Sequence, residues 1–156
     1  MNTVTTAAVL QRPKLLTPIL VGGFAAGLFD HLMAVHTFGW GVSRGVASGL
    51  LGKSAFQGGM GTWTLGLVLQ FFIAISAAAI YCLASLRLRF LRENWLVCGL
   101  FYGIAVYLVM NLIVLPLSAF PFPVGPFKVS TLIQGLLVHM VLIGLPISFS
   151  LRRFSS

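Results

Sequence analysis

Residues 62–86 decide the fold: Thr62-Trp-Thr-Leu-Gly-Leu-Val-Leu-Gln-Phe-Phe-Ile-Ala-Ile-Ser-Ala-Ala-Ala-Ile-Tyr-Cys-Leu-Ala-Ser-Leu86. This run of 25 residues contains no charged side chain, and the basic turn Arg87-Leu-Arg89-Phe-Leu-Arg92-Glu93 ends it. A helix needs roughly 20 apolar residues to cross a hydrocarbon core of about 30 Å. The run is too long for a strand and lacks the period-two alternation of an outer-membrane barrel. It therefore predicts a membrane-spanning helix.

Three further apolar runs cover residues 15–35, 96–120 and 129–151. The prolines of Pro121-Phe-Pro-Val-Gly-Pro126 end the second of these, because proline cannot continue a helical hydrogen-bond ladder. Only 8% of the 156 residues are charged, and the mean hydropathy is +1.02. A soluble domain carries roughly a quarter of charged residues. We therefore predict an all-α fold, an integral membrane four-helix bundle forming a single transmembrane domain.

The glycine-rich segment between the first two runs is harder to interpret. Its apolar residues recur at helical spacing from Val42 to Leu50, and Trp40 and Trp63 flank it at positions suited to the headgroup level. This pattern predicts a short interfacial or partly re-entrant helix over about residues 40–58. A flexible glycine-rich loop is the alternative.

Basic residues indicate the orientation. With the N-terminus inside, the cytoplasmic segments carry seven Lys or Arg, and the outer segments carry three, Arg44, Lys53 and Lys128. Since basic residues favour the cytoplasmic side, both termini are predicted to be cytoplasmic. A cleaved signal peptide is the rival interpretation of the first run, but its roughly 21 apolar residues are long for one.

The net charge of +8 has two interpretations, nucleic-acid binding or contact with lipid headgroups. No basic cluster is interleaved with aromatic residues, so we predict the lipid bilayer as the partner and no nucleic acid. Cys82 and Cys98 have neither a CxxC nor a metal-ligand spacing, and a reducing cytoplasm argues against a disulfide. No metal and no cofactor are predicted.

Small residues at four-residue spacing favour close helix packing inside a membrane. Seven glycines are predicted to serve it: Gly23, Gly27, Gly41, Gly45, Gly49, Gly99 and Gly103. Packing inside one bundle is the favoured interpretation. A dimer contact is the alternative, so a homo-oligomer or another membrane-protein partner stays open.

Polar residues inside the spans need a reason, because burying them in hydrocarbon costs free energy. The candidates are Asp30, His31, Gln70, Asn111, Gln134 and His139. At a rise of 1.5 Å per residue, the acid and the three amides lie about 22–26 Å from the inner face, in one layer. We interpret this polar layer as a structural clamp. The alternative is a water-accessible, proton-linked site with Asp30 as acid and His31 or His139 as partner.

Catalytic signatures are missing from the sequence. It contains no Gly-x-Ser-x-Gly, no His-Glu-x-x-His and no phosphate loop, so we predict a non-catalytic membrane component rather than an enzyme. A small transporter or proton-linked permeation protein is the alternative. The two histidines on different helices, His31 and His139, leave a haem- or quinone-associated protein as a second alternative.

Several stretches also carry a resemblance: Val46-Ala-Ser-Gly-Leu-Leu-Gly52, Ala55-Phe-Gln-Gly-Gly59, Tyr102-Gly-Ile-Ala-Val-Tyr107, Met110-Asn111, Leu115-Pro-Leu-Ser118 and Gly135-Leu-Leu-Val-His139. Together they resemble small bacterial inner-membrane proteins of unknown function with four helices. A more distant similarity is to the YagU-like inner-membrane proteins, which are associated with acid resistance. It rests on a proline-interrupted third helix followed by a helix with Gly-x-x-x-His. The resemblance implies a bacterial inner-membrane location and an acid-stress link, without catalytic residues to carry over.

Overall fold

The computed structural model describes residues 14–125 and 128–154. Within these ranges the chain has no β-strand and forms six helices in this order: α1 (Leu16–Phe38), α2 (Val42–Leu51), α3 (Met60–Ala84), α4 (Phe90–Glu93), α5 (Trp95–Leu117) and α6 (Val129–Phe154). Four of them, α1, α3, α5 and α6, are long and apolar enough to cross a membrane. The predicted all-α fold with four spans is confirmed, and the chain is a multi-pass membrane protein. The helix ends lie within three residues of the predicted ones.

The segment between α1 and α3 is helical. After α2 the chain tightens into a 3₁₀ turn, Gly52–Gln57, before α3 begins. We call the end of the bundle that carries α2 the α2 end. The opposite end, where Arg87, Arg92 and Arg152 lie, is the arginine end.

Two of the spans contain a π-helical turn, at Met110–Val114 in α5 and His139–Gly144 in α6. Each turn lies just before a Leu-Pro pair, and the leucine N–H bonds the carbonyl five residues earlier, from Leu115 to Met110 and from Leu145 to Met140. Proline has no N–H to give and its ring crowds the carbonyl four residues back. The wider turn accommodates both effects, so the two prolines account for the two distortions.

The helix α1 lies between α3 and α6, and α6 in turn packs on α5. On α1, Gly23 approaches the backbone of Ile75 in α3, and Gly22 approaches Ser150 and Ile147 in α6. The Ser150 hydroxyl donates a hydrogen bond of 3.1 Å to the carbonyl of Pro18. Helices α3 and α5 are bridged at the arginine half by the Tyr102 hydroxyl, which donates to the carbonyl of Ala77.

The helices α5 and α6 also approach each other closely through glycine. A Cβ at Gly99 would collide with the Ser148 hydroxyl, and one at Gly103 would collide with the His139 carbonyl. A Cβ at Gly144 would collide with the Gly99 carbonyl. These positions therefore require glycine for steric reasons, as expected where membrane helices pack through small residues.

The predicted packing glycines do not all behave alike. The four in α1 and α5 (Gly23, Gly27, Gly99 and Gly103) are buried against neighbouring helices. In contrast, Gly41 and Gly45 face open space, and a Cβ at Gly49 would make only an ordinary contact with Ser118. The close contact of α2 is made instead by the Ser43 carbonyl, which lies against Gly66 of α3. The face of α2 that packs is therefore the one opposite to the predicted glycine row.

Candidate functional site

The acid and one amide of the predicted layer contact each other near the α2 end. The Gln70 amide of α3 donates a hydrogen bond of 2.6 Å from Nε2 to Oδ2 of Asp30 in α1. One turn away from Asp30, Gly27 lies against Phe71 and Ala74, so the two backbones are close enough for these short side chains to meet. This is a direct interhelical polar contact inside the spans, of the kind that fixes the register of two helices.

The neighbouring His31 is buried, with 8% of its surface exposed. Its ring meets the edge of Trp63 from α3 at a centroid distance of 6.4 Å. Trp63 also stacks on Trp40 at 5.0 Å and donates its indole N–H to the Trp40 carbonyl. The two tryptophans therefore close the α2 end over His31.

Three buried polar atoms at this end have no hydrogen-bond partner among the described residues. They are Nδ1 of His31, Oγ of Ser43 and Nε of Arg44. Because the Ser43 carbonyl lies against Gly66, and His31 lies against Trp63, both residues face the same turn of α3. Unpartnered buried polar groups are costly, so this cluster is a candidate for proton exchange or for binding water.

A second polar cluster lies where α5 meets α6. The Tyr107 ring packs against the His139 ring at 5.1 Å and covers Gly135. Here the polar side chains bond within their own helices: Asn111 Nδ2 donates to the Tyr107 carbonyl at 2.9 Å, and His139 Nδ1 lies 2.9 Å from the Gly135 carbonyl. Both residues belong to the π-helical turns of their helices. These bonds stay within one helix, whereas the bond from Gln70 to Asp30 joins two helices.

The six polar residues therefore do not form one contact network. Asp30 and Gln70 meet, Asn111 and His139 bond within their own helices, and Gln134 is exposed on the outside of α6. The stretch of α6 that carries Gln134, Val129–Val138, has no buried residue. Depth alone placed the residues in a common layer, whereas helix rotation decides which of them face one another.

Sequence reasoning missed Ser43 and Tyr107 as members of these clusters. Ser43 carries no signal beyond its place in the first turn of α2, and Arg44 was interpreted only as a surface charge. Tyr107 does carry one, since it lies four residues after Gly103 and four before Asn111, and therefore on one helical face.

Potential metal ligands are scattered in the described ranges. No group of three or more His, Cys, Asp or Glu side chains is close enough there to hold a metal ion. His31 and His139 pack against different aromatic residues, Trp63 and Tyr107. In comparisons with protein-family models, curated proteins and solved structures, no significant match to this chain is found.

Proposed function

We propose that this chain is a non-catalytic component of the bacterial inner membrane, with both termini in the cytoplasm. The hydrogen bond of 2.6 Å from Gln70 to Asp30 carries this proposal. This bond joins Asp30 of α1 to α3, next to the close packing at Gly23 and Gly27. A contact of this kind sets helix register and contributes about 0.6 kcal/mol on average.

The second polar cluster supports the same function. Asn111 and His139 each bond a carbonyl four residues earlier in their own helix, which satisfies the side chain without preparing it for chemistry. The lipid bilayer is the partner that the exposed apolar side chains of the spans fit. A homo-oligomer or another membrane-protein partner stays a prediction.

A proton-linked permeation protein is the second candidate. The unpartnered Nδ1 of His31, directly after Asp30, favours it, because Asp–His pairs serve proton relays in membranes. The distant resemblance to proteins associated with acid resistance points in the same direction. The two candidates differ in whether the Asp30 carboxyl exchanges protons.

Asp30→Asn separates the two candidates, because asparagine can still accept the bond from Gln70 but cannot carry an exchangeable acid proton. For a structural clamp, we expect wild type and variant to unfold within about 0.5 kcal/mol of each other. Neither should give a pH-dependent flux in proteoliposomes. Unfolding in mixed micelles and pH-gradient dissipation are the two measurements.

A wild-type proton or solute flux that Asp30→Asn abolishes would overturn the clamp and establish the second candidate. His31→Gln then tests the proton partner, since it removes the imidazole ring and keeps a polar side chain. Absence of wild-type flux under every gradient would discard the permeation function. A Soret absorbance band in the purified chain would instead identify a haem protein.

A further inference from the structure

A groove of about 580 Å³ separates α3 from α5 at the arginine end. Apolar side chains line it, and several remain largely exposed, such as Ile80 (63%) and Phe101 (67%). The rings of Tyr81 and Tyr102 lie 4.8 Å apart and connect the two helices, with the Tyr102 hydroxyl bonded to the Ala77 carbonyl at 2.6 Å. The groove therefore lies between two helices that contact each other mainly through these tyrosines.

The length of the groove matches one leaflet. It runs from Asn94, just before α5, to Ala105, eleven steps along the helix or about 16 Å at a rise of 1.5 Å per residue. Half of a hydrocarbon core of about 30 Å is about 15 Å. An acyl chain lying in the groove would therefore extend from the membrane surface to near the midplane.

Phe90 and Leu91, which line the groove, belong to a basic turn. The turn between α3 and α5 carries Arg87, Arg89 and Arg92 against Glu93, three positive charges and one negative, so its net charge is +2. The Arg92 Nε donates to Ser85 Oγ at 3.4 Å, across the turn, while Arg87 and Arg89 are exposed. Guanidinium groups suit phosphate, because their planar N–H donors match its oxygens.

Groups that line the groove also hold this basic turn in place. The Tyr81 hydroxyl donates to the Leu91 carbonyl at 3.1 Å, and Cys98 Sγ donates a weaker bond of 3.7 Å to the Phe90 carbonyl. All four residues line the groove. These bonds hold the backbone of Phe90 and Leu91, which follow Arg89, against the apolar walls, as a site for a headgroup and its chain requires.

We propose that this groove binds one anionic phospholipid from the leaflet at the arginine end. One acyl chain lies between α3 and α5 over Tyr81 and Tyr102, and the phosphate lies against Arg87 and Arg89. Basic pockets between membrane helices bind anionic headgroups through the same combination of charge and apolar contact. The site differs from both polar clusters, which lie in the other half of the spans.

The headgroup half of the proposal is tested with the purified full chain and two lipids of identical acyl chains, phosphatidylglycerol and phosphatidylcholine. Native mass spectrometry counts the lipids that stay bound. At about fivefold per arginine, Arg87→Gln with Arg89→Gln should weaken phosphatidylglycerol binding by more than about tenfold. Lys14→Gln with Arg153→Gln removes the same charge elsewhere and should leave binding unchanged. Equal losses in both double variants, or equal wild-type binding of the two lipids, would overturn the proposal.

The acyl half is tested by filling the groove. Ala105 is exposed and lines it, so Ala105→Phe adds bulk there without entering the helix packing. Val109→Phe, one turn along α5 and outside the groove, is the matched control. We expect Ala105→Phe to displace the bound lipid and Val109→Phe to retain it, with both variants unchanged in helical content. Retention of the lipid by Ala105→Phe would overturn the groove as its site, and a dimer crosslinked through Phe101→Cys in lipid would assign the groove to a second copy instead.

Discussion

The α1–α3 pair and the α5–α6 pair both pack through glycine, but they differ in the atoms that lie against the glycines. Between α1 and α3, Gly27 meets side chains of Phe71 and Ala74, and the Gln70–Asp30 bond adds an interhelical polar contact. Between α5 and α6 the contact is backbone on backbone, with Gly103 against the carbonyl of His139.

The π-helical turn of α6 explains this difference. In such a turn the hydrogen bonds span five residues, which displaces carbonyls from the regular helical path. The His139–Gly144 turn faces α5, where Gly99 and Gly103 leave room for it. Register in the α1–α3 pair therefore uses a side-chain bond in addition to the backbone contact at Gly23, whereas the α5–α6 pair uses the shape of the π-helical turn.

The largest expected effect is at Gly103. Gly103→Ala places a Cβ against the His139 carbonyl and 2.5 Å from Met140 Cα, and neither backbone atom can rotate away. We expect a loss of about 2–3 kcal/mol in the free energy of unfolding. Unfolding in mixed detergent–lipid micelles measures it.

Gly27→Ala is the matched substitution in the other pair. Its Cβ would lie 2.9 Å from Cδ1 of Phe71, whose ring can shift, and 3.1 Å from Cβ of Ala74. We expect a loss below about 1 kcal/mol, because a flexible side chain relieves the contact and alanine favours the helix. Equal losses at Gly27 and Gly103 would refute the distinction between the pairs.

The polar side chains are expected to contribute less to the free energy of unfolding than Gly103 does. Gln70→Leu removes the bond to Asp30 and should lower the free energy of unfolding by about 1–2 kcal/mol, since the acid loses its donor. Asn111→Leu should cost about 0.5 kcal/mol or less. The Tyr107 carbonyl that accepts from Asn111 also accepts from the Met110 N–H, so it remains bonded.

A double-mutant cycle sharpens this comparison. Asp30→Leu and Gln70→Leu, measured singly and together, should show a coupling energy of at least about 0.5 kcal/mol. Asp30→Leu combined with Asn111→Leu should be additive, because the two residues bond different helices. Coupling in the second cycle and none in the first would show that Asp30 and Gln70 do not hold α1 against α3.

The four spans could be predicted from the sequence because length and hydropathy alone decide them. The meeting of Asp30 and Gln70 agrees with the similar depth that the sequence predicts for both, and Asp30 lies one turn after the packing glycine Gly27. The other contacts depend on the rotation of each helix. A regular helix would place His139 and Pro146, seven residues apart, on one face, but the π-helical turn His139–Gly144 has more residues per turn and shifts the faces on either side.

The packing face of α2 is also hard to predict from the sequence. A row of glycines predicted its packing face, whereas the contact with α3 comes from the Ser43 carbonyl at Gly66. A glycine permits close approach but does not require it, and the sequence does not distinguish the two situations. The atoms that an added Cβ would meet at each glycine do distinguish them.

The smallest expected effect has the opposite sign and tests that distinction. Gly45 lies within α2 and a Cβ there would meet no atom within 4 Å. Gly45→Ala should therefore raise the free energy of unfolding by up to about 1 kcal/mol, since alanine has the higher helix propensity and nothing opposes it. Gly49→Ala, with Ser118 Oγ at 3.7 Å, should behave similarly. If Gly45→Ala destabilised the chain instead, an atom outside the described residues would have to lie against α2.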